Sequence, residues 1–151
     1  NATNERICII NDDNVLCKDW DVAIEKDLKE NEVITINQIE PYEGIFNFPV
    51  KDFGTNPKEF DYDGFIKYEP TIRSNKITPN GGIFPFAMWK KDYMIVGGFD
   101  VLYKSPFICD WDFFLKLELN NKTFKRIHKA NTFGIYILGR RCWRCNTNRQ
   151  I

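Results

Sequence analysis

The first 37 residues constrain the fold more than any other stretch of the chain. Arg6-Ile-Cys-Ile-Ile10 is a short apolar run rich in β-branched residues, and it stops at Asn11-Asp12-Asp13-Asn14. That is the pattern of a buried strand running into a polar turn. Asp19 stands where a helix cap belongs, and from about Trp20 to Glu30 the residues Trp20, Ala23, Ile24 and Leu28 recur on one helical face. Glu32-Val-Ile-Thr-Ile-Asn37 then reads as a second strand. Strand, acidic turn, helix, strand is a βαβ-like unit, and its crossover implies a parallel or mixed sheet. The expected fold is therefore α/β, a mixed sheet flanked by helices, with Ile7–Ile10 central.

The rest of the chain divides in two. Residues 39–80 are punctuated by Pro41, Pro49, Pro57, Pro70 and Pro79, with Tyr42, Phe46, Phe48, Phe53, Phe60, Tyr62, Phe65 and Tyr68 spread among acids. A stretch this long without clear periodicity is a functional loop or an insertion. Its rings either pin it to the core or stack on sugar faces, and burial is the commoner use of large rings. Regular structure resumes at Asn80-Gly-Gly-Ile-Phe-Pro-Phe-Ala-Met88, a turn followed by a strand. Trp89 to Val96 is expected to be a short helix closed by Gly97-Gly98. Asp110 to Leu119 is a second helix, dense in large apolar residues and expected to be largely buried, with Trp111 in the core. Thr132 to Leu138 is a last strand, and 139–151 a basic, poorly packed tail.

With 151 residues, 43% hydrophobic and 28% charged, the chain has room for one domain. No apolar run approaches the ~20 residues of a membrane span, and no basic-then-apolar leader opens the sequence, so a cytoplasmic setting is expected. The net charge of zero hides a division. Residues 1–70 carry 16 acids against 7 bases, and residues 71–151 carry 5 against 14. The two halves form either mutually attracting solvated faces or an acidic metal site beside a basic wall for phosphates. Scattered bases on a neutral chain do not suggest a nucleic-acid partner. Of the cysteines Cys8, Cys17, Cys109, Cys142 and Cys145, the last two have zinc-knuckle spacing. With no second pair, and His128 as the single histidine, a four-ligand zinc site is not expected. An odd count favours reduced thiols.

Two acidic constellations carry chemistry. Asp12 and Asp13 end a strand, where ligands of open α/β sheets bind. Adjacent carboxylates suit Mg²⁺ or Mn²⁺ completed by a diphosphate, or else form an ordinary Asx turn. Further on, Gly81-Gly82, Trp89-Lys90-Lys91, Val96-Gly-Gly-Phe-Asp100 and Cys109-Asp-Trp-Asp-Phe-Phe-Leu-Lys-Leu117 follow in fixed order. Together with Asn11-Asp12-Asp13, this order across residues 6–138 resembles the C-terminal half of family-2-like GT-A glycosyltransferases. It is also similar to the related galactosyltransferase C-terminal region.

The resemblance implies an incomplete GT-A (nucleotide-diphospho-sugar transferase-like) fold, with residues 1–151 forming the C-terminal part of one catalytic domain. In that family roughly the first half of the domain precedes the acidic motif and holds the nucleotide. The implied activity is metal-dependent transfer of a sugar from a nucleotide-sugar donor to a hydroxyl acceptor. Asp13 matches the metal ligand of the "DXD" motif, with Asp12 assisting and Asn11 departing from its first acid. Asp110 matches the general base of inverting members, at a helix N-terminus that would favour its ionised form. Asp112 matches a more structural acid, and Cys109 replaces the customary Glu. Gly81, Gly82, Trp89, Asp100, Trp111 and Asp112 are the expected substrate contacts, and Lys104 to Cys109 part of an acceptor loop. Alternatives are a non-catalytic carbohydrate-binding or scaffolding remnant, or a small zinc- or partner-binding α+β domain. Loss of half a sheet would leave an edge through which copies self-associate.

Overall fold

The computed structural model of the chain describes residues 2–44, 47–79, 82–103 and 106–135. The tail from 139, Ile137-Leu138 and the Cys142/Cys145 pair lie outside the described residues. So do Phe46, Asn80, Gly81 and Lys104.

The elements are β1 (Arg6–Ile9), β2 (Asn14–Leu16), α1 (Trp20–Asp27), β3 (Glu32–Ile39), α2 (Tyr62–Tyr68), a 3₁₀ turn (Glu69–Ile72), β4 (Ile77–Pro79), β5 (Phe86–Trp89), α3 (Lys90–Ile95), α4 (Pro106–Leu119) and β6 (Thr123–Gly134). Six strands form one mixed sheet in the order β1-β5-β3-β6-β2, with β4 also on β6. Only β3 and β6 run parallel; the other pairings are antiparallel. A mixed α/β architecture is as the sequence implied.

The period of two along each strand sorts side chains to two faces. Val33, Phe86 and Met88, with Ile7 and Ile9, meet Phe113, Phe114 and Leu117 of α4 on one face. Ile34, Ile36, Ala87 and Ile127, with Cys8, meet Ile24, Leu28 and the rings Phe53 and Phe65 on the other. The sheet is thus a middle layer. Residues 39–80 are held by their rings: Phe53, Phe60 and Phe65 all lie within 6.2 Å of the Phe133 ring, centroid to centroid. Tyr42 and Tyr62 stay exposed.

Several expectations are corrected. β1 is an edge strand, half-buried, because β5 takes the place between it and β3. Asp19 precedes α1 in a left-handed conformation and its side chain caps nothing. α4 begins at Pro106, a turn earlier than the acids suggested. It is buried on one face only, since Ile108, Trp111, Leu115 and Leu119 are exposed. The last strand begins at Thr123 and its described part ends at Gly134. The expected glycine stop holds: Gly97 and Gly98 have φ of +77° and +68°, and the Gly98 amide donates to the Tyr93 carbonyl at 3.1 Å.

Between Ile36↔Ile127 and Asn37↔Asn131 the register slips, leaving residues 128–130 as a bulge in β6. A bulge bends its strand and sharpens the twist. Here it turns the strand from β4 toward β2. No helix among the described residues is long and apolar enough to cross a membrane.

Candidate functional site

β1 ends at one end of the sheet, and the chain crosses there to β2 on the far edge. Residues 11–14 make that crossing as a turn, the Asn14 amide donating to the Asn11 carbonyl and the Asn11 amide to Asn14 Oδ1, both at 3.2 Å. Asp12 faces solvent. Asp13 is tied down: its carbonyl accepts the Ile135 amide at 2.7 Å, just beyond β6, and its Oδ1 is buried. The turn therefore presents one fixed and one free carboxylate.

The second constellation reaches the same end of the sheet by packing. Phe86 pairs with Ile9, the last residue of β1. Four residues before Phe86, Gly82 lies against the ring of Phe114, where a Cβ would fall 2.1 Å from the ring Cγ. Asp110 and Phe114 are four apart on α4 and share a helical face. Asp110, half-exposed, thus stands one turn along α4 from the ring that touches the segment beside the end of β1. It is not at the helix N-terminus, because Pro106 opens the helix and the unpaired amides belong to the turn before it. The ionisation argument from those amides does not apply.

Around Cys109 the acids gather. Its thiol donates to the Asp100 carbonyl at 3.8 Å. Burial, and then the carboxylates Asp110, Asp112 and Asp100, push the thiol above its usual range, which makes it a poor nucleophile. Asp112 is occupied by Lys116, at 2.6 Å. The bond from Asp112 holds the ammonium above its ordinary range, with Asp100 contributing. Asp100 Oδ1 accepts the Leu102 amide at 2.8 Å, an Asx turn.

One expected contact stands elsewhere, and one core expectation is corrected. Trp89 is at the opposite end of β5 from Gly82, paired with Arg6, its indole donating to the Lys29 carbonyl at 3.1 Å. Trp111 is 77% exposed, so it is no core residue. Gly81 lies outside the described residues. Among the described residues no three His, Cys, Asp or Glu side chains converge as metal-holding groups.

Three features were not legible in the sequence. A buried network joins Glu69, Arg73, Asn131 and Asn37. A buried ion pair joins Asp92 to Lys122 at 2.7 Å. A cleft of about 500 Å³ opens between β1 and α1, lined by Arg6, Cys8, Trp20, Ile24 and Trp89. Burial pushes the Cys8 thiol up to about 12. Asn131 is 62 residues from Glu69 and 94 from Asn37, Lys122 is 30 from Asp92, and the cleft draws on β1, α1 and β5, so no local pattern reveals them. Comparison with family profiles, curated proteins and solved structures finds no match to this chain.

Proposed function

We propose that this chain is the C-terminal part of a GT-A glycosyltransferase domain that transfers a sugar from a nucleotide-sugar donor to a hydroxyl acceptor with inversion. The observation that supports it most is convergence. The acidic turn follows β1, whose last residue pairs with Phe86 of β5, and the Gly82 segment before β5 packs on Phe114, one turn along α4 from Asp110. Ligand sites of α/β sheets form where strand ends and loops converge in this way.

Asp12 and Asp13 would hold Mn²⁺ or Mg²⁺. Hard carboxylate oxygens suit these ions, which bind through one or two carboxylates and the substrate's phosphates. One oxygen of Asp13 is buried while Asp12 is exposed, so the pair offers a fixed and an adaptable ligand. A cation bound there supplies charge neutralisation to the departing nucleoside diphosphate. Asp110 takes the proton of the acceptor hydroxyl as its oxygen bonds to the anomeric carbon and the carbon–phosphate oxygen bond breaks. Asp112, engaged by Lys116, positions this stretch of α4.

Calorimetry of Mn²⁺ with a nucleoside diphosphate present should show binding that Asp13→Ala abolishes with the circular dichroism unchanged. In the complete gene product, Asp110→Asn should keep that binding and lose transfer by about 10²-fold or more. Wild-type transfer in Asp110→Asn would remove the base assignment. Two departures, Asn11 and Cys109, favour a second reading as a non-catalytic carbohydrate-binding or scaffolding remnant. Carbohydrate binding without Mn²⁺ binding or transfer would establish it.

A further inference from the structure

We propose that the outer face of α4 is a dimer interface, closed by a second copy of this chain packed antiparallel against it. Ile108, Trp111, Leu115 and Leu119 recur at spacings of three and four along the solvent side of the helix, 53%, 77%, 53% and 73% exposed. Such spacing makes one stripe. The opposite face, Phe113, Phe114 and Leu117, is already buried against the sheet. A helix apolar on both faces belongs between two layers, and the described residues supply only one of these.

The order of residues selects the partner. Reversed, the stripe superposes on itself, so that Ile108 meets the partner's Leu119 and Trp111 meets the partner's Leu115. The charges follow the same symmetry. Asp112 and Lys116 form an i,i+4 pair on one flank of the stripe. Antiparallel packing sets the same flanks side by side and brings Lys116 level with the partner's Asp112, whereas parallel packing would put the two flanks on opposite sides of the interface. Asp112 on the flank of the stripe and Asp100 beside Cys109 disfavour an anionic lipid surface.

Area agrees. With side-chain areas on the order of 150–250 Å², the stripe presents roughly 500 Å² per copy. Two copies of the stripe bury about 1,000 Å², the floor for a specific interface. Asp110 points to the sheet side of α4, so pairing leaves it uncovered.

Sedimentation of the 151-residue chain at micromolar concentration should give twice the 17.9 kDa chain mass. Leu115→Lys with Leu119→Lys, at exposed positions, should give the monomer with an unchanged circular dichroism spectrum. Lys116→Asp should weaken the dimer about tenfold, and adding Asp112→Lys should restore it. Pairing through the β1 edge would be indifferent to all of these changes. A monomeric wild type, a dimer that survives the double lysine variant, or a monomer that floats with phosphatidylcholine vesicles would each overturn the proposal.

Discussion

Replacing Glu69 by alanine should cost this protein a large share of its stability. The Glu69 side chain is 2% exposed and ion-paired to Arg73 at 2.7 Å. Its Oε1 accepts the Asn131 backbone amide at 3.1 Å and Asn131 Nδ2 at 2.8 Å, and Arg73 Nε donates to both of its oxygens. Asn131 is fully buried, and its Oδ1 in turn accepts from Asn37 Nδ2 at 2.7 Å. Alanine strands both Asn131 donors without water, at about 1–3 kcal/mol each, and leaves a cavity. Arg73 is 30% exposed and turns to solvent, which softens the loss. The expected sum is about 3–5 kcal/mol, against a total stability of roughly 5–15. At 2–4 °C per kcal/mol for a chain of this size, that lowers Tm by about 10 °C.

Glu69→Gln should cost less, about 1–2 kcal/mol, because it keeps an acceptor for Asn131 while setting an amide donor against Arg73. Thiol labelling gives a second readout. Burial and the neighbouring Glu69 carboxylate hold the Cys17 thiol up at about 11, so it is silent in wild type and should react in Glu69→Ala. A Glu69→Ala variant that melts within about 3 °C of wild type, a loss under 1 kcal/mol, would refute the reasoning.

Gly82→Ala drives a Cβ into the buried Phe114 ring and should cost about 1–3 kcal/mol, read as a lower urea midpoint; an unchanged midpoint would show that the contact yields freely. Asp92→Asn removes the charge paired with buried Lys122, leaving it neutral acceptors such as Asn31 Oδ1 at 2.7 Å, and should cost about 3 kcal/mol by thermal melting; a loss under about 1 kcal/mol would contradict it. Burial, then the charges of Lys76 and Arg126, lower His128 below its ordinary 6.5. The folded state therefore binds fewer protons than the unfolded one. Stability is full above pH 6.5 and declines as pH falls through the folded value, a slope that His128→Gln should flatten. Equal slopes in the two proteins between pH 7 and 5 would refute it.

Much of the local structure was legible in the sequence because it depends on local chemistry. The β-branched run of β1, the face of α1, the strand β3 and the glycine stop after α3 each follow from residues within a few positions of one another. The acidic turn was legible for the same reason. β6 was half-missed because its first half, with Lys125, Arg126, His128 and Lys129, shows no clean apolar alternation. In the fold Glu32 and Asp27 neutralise Lys125 and Lys129, and strands on both sides satisfy its backbone. The start of α4 was misread from the acids, although Pro106, whose φ suits a first helical turn, marked it.

Tertiary structure alone decided the rest. Periodicity says that a strand exists but not which strand lies beside it, so β1 was placed centrally although β5, some 80 residues later, leaves it at the edge. α4 is apolar on two sides, and the pattern could not say which side meets the sheet; packing buried Phe113 and left Trp111 outside. Glu69 and Asn131, 62 residues apart, find each other only where the β6 bulge turns the strand toward the 3₁₀ turn. The sequence by itself marked β1, α1, β3 and the stop of α3, but not α2 or β4, which lie inside the stretch read as a loop. Which strands are neighbours, and which apolar face of α4 stays exposed, depended on long-range packing, whose partners no local spacing encodes.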